Sequence, residues 1–154
     1  MGFPVSNEFP SPLWLGHPQY NQNSLSAIAN RGYYLPVSLH KATSFTNFNW
    51  RSTTPGDGNY DCGVYSNTFT RLFSTGLLAV GGDNNPALAV TLSPGQYWLA
   101  LLITSGTCTI RNLRQDTIGQ VWVESPSASP LPATGAPTES TSNVEIVPAL
   151  VLYR

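Results

Sequence analysis

Charge is what this chain has least of. Charged residues make up 10% of its 154 positions, against about a quarter in an ordinary soluble domain, and Lys41 is the only lysine. Seven basic and eight acidic side chains, net −1, build no basic stripe that could neutralise phosphates, so nucleic acid is not expected as a partner. Two cysteines are too few for a disulfide scaffold. No apolar run is long enough to cross a bilayer as a helix, and no membrane contact is expected. The N-terminus has no basic stretch leading into an apolar one, so no Sec export is expected and synthesis in a cytoplasm is. Met1-Gly2 with Ser6 matches a myristoylation pattern only superficially, since Phe3 and Pro4 follow the glycine.

In place of charge the chain carries 13 Gly and 13 Pro among many hydroxyl and amide side chains, which suits turns and strands and works against helices. A near-neutral surface of this kind is compatible with assembly or with contact to neutral glycans. The strongest strand signal runs from Leu92 to Ile103, where a Pro-Gly turn feeds an apolar stretch. Tyr97, Leu99, Leu101 and Ile103 alternate with Trp98, Ala100 and Leu102, so neither face is polar and the strand must be covered on both sides.

Residues 1–24 hold prolines at 4, 10, 12 and 18, which forbid a helix and impede ladder pairing. The segment is expected to be an extended N-terminal arm. Phe3, Phe9, Trp14 and Tyr20 punctuate it, and large aromatics are unusual in plain solvated tails; they either pack along their own domain or contact a neighbouring subunit. Leu25 to Asn30 could form one helical turn. Strands then follow at short intervals: Arg31 to Leu39, with Pro36 suggesting an edge or a bulge; Thr43 to Ser52, with Phe48 and Trp50 facing the core and Phe45 away from it; Asp61 to Tyr65 and Phe69 to Ser74 as a hairpin; Ala87 to Leu92; the stretch just described; Gly106 to Leu113; Gly119 to Val123; and an apolar end, Asn143 to Tyr153. The Pro/Ser/Ala-rich stretch 124–138 is too long for a hairpin tip and reads as a surface excursion. Together these predict an all-β domain over 25–154, a two-sheet antiparallel sandwich of jelly-roll type.

Constellations for chemistry are weak. Asp57-x-Asn59-x-Asp61 has the oxygen spacing of a calcium loop, but Cys62 stands where that loop needs Gly and Thr68 where it needs Glu; a solvated turn is expected, and sequence leaves a structural calcium near Asp57 and Asp61 open. His17 and His40 have no ligand at metal spacing. Cys62 and Cys108 lie in strand-like runs and read as buried thiols, with a disulfide or metal role also weighed. No Gly-x-Ser-x-Gly elbow occurs, and the carboxylates nominate no glycosidase pair. No catalytic activity and no cofactor are expected. For glycan contact the aromatic candidates are Tyr60 and Trp122, with Trp14 considered beside them.

Four segments, Gly32–Leu39, Tyr60–Tyr65, Thr70–Gly76 and Leu92–Ala100, resemble the successive strands of β-sandwich modules in virion proteins of tailed bacteriophages. The likeness spans roughly residues 31 to 112 and rests on strand and turn patterns. It implies a jelly-roll scaffold in a capsid decoration, head-fibre or tail-fibre protein, located in the virion. The implied partners are the major capsid or tail proteins and further copies of the chain, with a host surface glycan as the alternative. No catalytic residues carry over from the resemblance.

Overall fold

Runs of alternating apolar and polar residues, cut every few positions by Gly, Pro, Asn or Ser, favour short strands joined by tight turns. The computed structural model follows that pattern; it describes residues 14–16, 24–54, 57–111, 122–124, 126–127, 129–140 and 150–154. In chain order the strands are β1 (Trp14–Gly16), β2 (Ser24–Ser26), β3 (Arg31–Leu39), β4 (Thr43–Thr54), β5 (Asn59–Ser66), β6 (Arg71–Ser74), β7 (Leu78–Ala79), β8 (Asp83–Asn84), β9 (Ala87–Leu92), β10 (Gly95–Ile103), β11 (Thr109–Arg111), β12 (Trp122–Glu124), β13 (Thr138–Glu139) and β14 (Val151–Tyr153). Among the described residues there is no helix.

Two antiparallel sheets pack face to face. The first runs β13-β12-β3-β10-β5-β6, with β7 also on β5; the second runs β1-β14-β4-β11-β2, with β8 and β9 also on β4. β10 lies between β3 and β5 over its length, with Leu101 opposite both Tyr33 and Cys62. Its two-faced apolar pattern therefore marks the middle of a sheet. Between the sheets Tyr33, Leu35, Leu99, Leu101 and Ile103 meet Phe45, Phe48, Trp50, Ile110 and Leu152, all essentially inaccessible to solvent.

β4 departs from simple alternation. Phe45, Phe48 and Trp50 are all buried while Thr46 is exposed, because the β4–β9 pairing shifts register between Phe45 and Asn47. The bulge turns Thr46 and Asn47 outward together and lets both phenylalanines reach the core. Period-two counting puts Phe45 on the wrong face for this reason. Pro36 is accommodated because β12 accompanies β3 only from Gly32 to Tyr34, so the proline lies beyond the end of that pairing. Leu25 to Asn30 forms no helical turn: β2 pairs with β11, the Ala27 amide donates to the Cys108 carbonyl at 2.7 Å, and Asn30 takes a left-handed φ of 56°. Asparagine tolerates that conformation better than most residues.

Trp14, within the expected arm, starts β1, which pairs with β14 in register Trp14 opposite Tyr153. Phe3, Phe9 and Tyr20 lie outside the described residues.

Candidate functional site

The outer face of the first sheet is a second apolar layer. It begins with alternation on β10: Trp98, Ala100 and Leu102 point away from the sandwich interior and are buried, joined by Tyr34 from β3 and Tyr65 from β5. At the centre the floor is lowered, since Ala100 lies opposite Gly63. A Cβ on Gly63 would come within 3.0 Å of Leu131 Cδ1 and 3.2 Å of the Phe73 carbonyl oxygen. The glycine is required by this close approach, because Leu131 fills the notch above it and is 1% exposed.

Leu131 belongs to the stretch expected to be a surface excursion. Residues 126–127 and 129–140 instead lie across this face as a strap, with Ser127, Leu131, Gly135, Pro137 and Ser140 buried. Beyond the short β12–β13 pairing and one bridge between Thr70 and Thr134 the strap has no ladder among the described residues, and side chains meet much of its hydrogen-bonding demand. Tyr65 Oη donates to the Pro132 carbonyl at 2.7 Å. The Arg71 guanidinium donates to the Leu131 carbonyl. The Glu124 carboxylate accepts from Tyr34 Oη at 2.9 Å and from the Ala136 amide at 3.2 Å.

Asp61 is the central pin. It is wholly buried, and its oxygens accept from Ser74 Oγ at 2.8 and 2.9 Å, from Thr75 Oγ1 at 3.1 Å and from the Leu131 amide at 2.8 Å. A buried carboxylate survives when donors replace its lost hydration, and this one ties β5, the end of β6 and the strap together. Asp61 lies in the strand expected over Asp61 to Tyr65, and the expectation of a solvated turn is corrected for it because it is a buried anchor, whereas Asp57 and Asn59 are exposed. Among the described residues no group of three or more His, Cys, Asp or Glu side chains gathers as a metal site.

Aromatic rings close one end of the layer. Phe69 stacks on Trp98 with centroids 4.7 Å apart and planes at 29°, and Trp122 sits 5.9 Å from Phe69 and 5.6 Å from Trp98. Trp122, a sequence candidate for glycan contact, is partly exposed here. Tyr60, the other, is 4% exposed and packs edge-on against Trp50 in the inner core at 5.1 Å, which leaves it no open ring face. Phe69, which sequence reasoning did not single out, takes its place beside Trp122; a Phe directly after the hairpin turn Ser66-Asn67-Thr68 was the available signal.

No protein-family model, no curated protein and no solved structure matches this chain.

Burial also sets the acidity of this region. Burial, helped by Tyr65 and the Glu124 carboxylate, holds the Tyr34 hydroxyl far above the usual phenol range. Burial pushes Tyr65 and Tyr60 up to about 12, and burial next to Asp61 raises the Cys62 thiol. Cys62 and Cys108 are both buried and free, and an enclosed thiol is a poor nucleophile. Elsewhere a depression of about 320 Å³ brings Lys41 and Arg154 together with Ala42, Thr43 and Ser44; the Thr43 hydroxyl is spent on the Lys41 carbonyl at 2.9 Å.

Proposed function

We propose that this chain is a non-enzymatic structural module of a tailed-phage particle, a capsid decoration or head-fibre protein that works by fitting against neighbouring virion subunits. The observation that carries the reading is the placement of the four phage-like segments. They lie on β3, β5, β6 and β10, which are neighbours in the order β3-β10-β5-β6 of one sheet, so the resemblance follows a continuous scaffold and not scattered turns. The pairings also nest: β3 with β10, β4 with β9 and β5 with β6. A long hairpin rolled over on itself gives that nesting, which supports the jelly-roll form of the sandwich.

Mass spectrometry of purified particles from the source phage tests this. The expected result is the chain at a fixed copy number per particle, in a simple ratio to the major capsid protein. Absence from particles whose other components are all recovered would sink the proposal.

The partly exposed Trp122 and Phe69 favour one second reading, a host-glycan-binding module on a tail fibre. Aromatic faces stack on the C–H faces of sugars, and the nearby Glu124 and Glu139 argue for a neutral glycan over an acidic one. Binding on a glycan array that is lost in Trp122→Ala would favour this reading over the first.

A further inference from the structure

Four large apolar side chains stand out as exposed among the described residues, and three fall within seven positions: Leu72 at 49%, Leu77 at 42% and Leu78 at 39%, against Ile28 at 45% elsewhere. All three lie along one margin of the first sheet. β6 ends the strand order, and β7 continues the same side of β5, with Val64 opposite Phe73 and Tyr60 opposite Leu78. The strap covers the start of this margin, through Arg71 N–H to the Ala133 carbonyl and the Thr70–Thr134 bridge. From Leu72 onward no strand among the described residues pairs with it.

Sheet edges are normally guarded by lysine, proline, a covering element or an inward charge. Among the described residues none of these four guards it from Leu72 on, since residues 72–82 contain no charged side chain and no proline; what protects it is the shortness of β6 and β7 and the register shift in the β5–β6 pairing. The cation at its start, Arg71, is directed onto the Leu131 carbonyl of the strap.

We propose that the margin from Leu72 to Ala79 is a self-association surface, and that its occupant is the same margin of a second copy of this chain. Charge selects that occupant. Burying an uncharged leucine margin against a charged partner would strip hydration from charges with nothing to pair them, whereas a second copy brings an equally uncharged margin. Two antiparallel edges related by a twofold axis also offer each other donors opposite acceptors, so the contact closes as a dimer. The margin lies along residues 59–64 of β5, which at about 3.3 Å per residue is roughly 20 Å, long enough for a compact twofold contact. The inference does not depend on residence in a phage particle.

Sedimentation velocity of the full chain over a range of micromolar concentrations tests it. The wild type is expected to dimerise, and Leu72→Glu/Leu78→Glu to weaken the dimer by about a hundredfold or more. Ile28→Glu, equally exposed but off the margin, is the control and is expected to dimerise like the wild type. Circular dichroism and thermal melting confirm that each variant is folded, and Leu72→Lys/Leu78→Lys repeats the test with the opposite charge. A wild type that stays monomeric throughout overturns the proposal, and so does a dimer unaffected by charge at Leu72 and Leu78. Either outcome is independent of the particle census.

Discussion

The two apolar layers on either side of the first sheet are closed by different means. The inner one is shut by side chains from regular strands on both sides, with backbone demand met in the ladders. The outer one is shut by the strap, which has little ladder of its own among the described residues and depends on the carboxylates of Asp61 and Glu124, the Arg71 guanidinium and two tyrosine hydroxyls. Burial alone is non-directional and fixes no register. An irregular segment can be buried only where its backbone groups find partners; main-chain bonds such as Gly135 N–H to the Phe69 carbonyl supply some of them here, and side-chain donors and acceptors supply others, so polar residues concentrate in the outer layer.

High pH loads both layers at once and gives the largest expected effect. Tyr34, Tyr60 and Tyr65 hold their protons more tightly folded than unfolded. For a raised folded value, stability is fully present below the unfolded pKa of about 10 and is lost as pH climbs through the folded value. Between pH 10 and 12 the three together are expected to remove about 3 kcal/mol per pH unit, so alkaline unfolding should fall inside that window. Tyr60→Phe should flatten the slope by about a third, through the inner core, and Tyr34→Phe with Tyr65→Phe by about two-thirds, through the outer layer. Urea titrations at stepped pH check this, and a flat profile to pH 12 would contradict it.

Large-to-small changes separate the layers next. Trp50 is enclosed by two sheets, so Trp50→Ala is expected to cost about 3–5 kcal/mol, near the top of the range for core cavities. Trp98 is buried under Phe69, Trp122 and strap residues. These can settle into the space, so Trp98→Ala should cost about 1–2 kcal/mol less than Trp50→Ala. Equal losses by urea denaturation would mean that the strap is as rigid as a sheet.

Removing the pin tests the polar half of the contrast. Asp61→Ala leaves the Ser74 hydroxyl and the Leu131 amide without their acceptor, while the Thr75 hydroxyl keeps the Gly76 carbonyl, at an expected cost of about 2–4 kcal/mol. Amide exchange at Leu131 and Ala136 should accelerate well beyond the global change, while the Leu101 amide in β10 should follow global stability alone. Uniform acceleration across both layers would show that the strap and the sandwich open as one unit.

What was legible in the sequence follows the same division. β10 and β9 could be read from residues 87–103 because their neighbours are regular strands and their alternation reports burial directly. Gly63 announced a close approach. The strap could not be read, because Pro, Ser and Ala look solvated unless one knows that Asp61 and Tyr65, some 70 residues earlier, are aimed at its backbone. Asp61 itself looked like part of a solvated turn, since local spacing says nothing of donors brought from β6 and the strap. The Phe45 face was lost to a bulge, which period-two counting cannot foresee.

Phe69 provides the finest test. It follows the turn Ser66-Asn67-Thr68, its amide donates to the Ser66 carbonyl at 3.0 Å, and its φ is 61°, the left-handed position where hairpins of this kind normally place glycine. An L-residue there costs about 1–2 kcal/mol, offset by stacking on Trp98 and contact with Tyr34 and Trp122. Phe69→Ala keeps the backbone strain and removes the ring, for an expected loss of about 2–3 kcal/mol. Phe69→Gly removes both, so it should be the milder change by about 1 kcal/mol. Glycine is usually the worse replacement, and this reversal in urea midpoints is what strain held by the outer layer requires. If alanine proves as stable as glycine or more so, the turn carries no strain and the aromatic stack is ordinary packing.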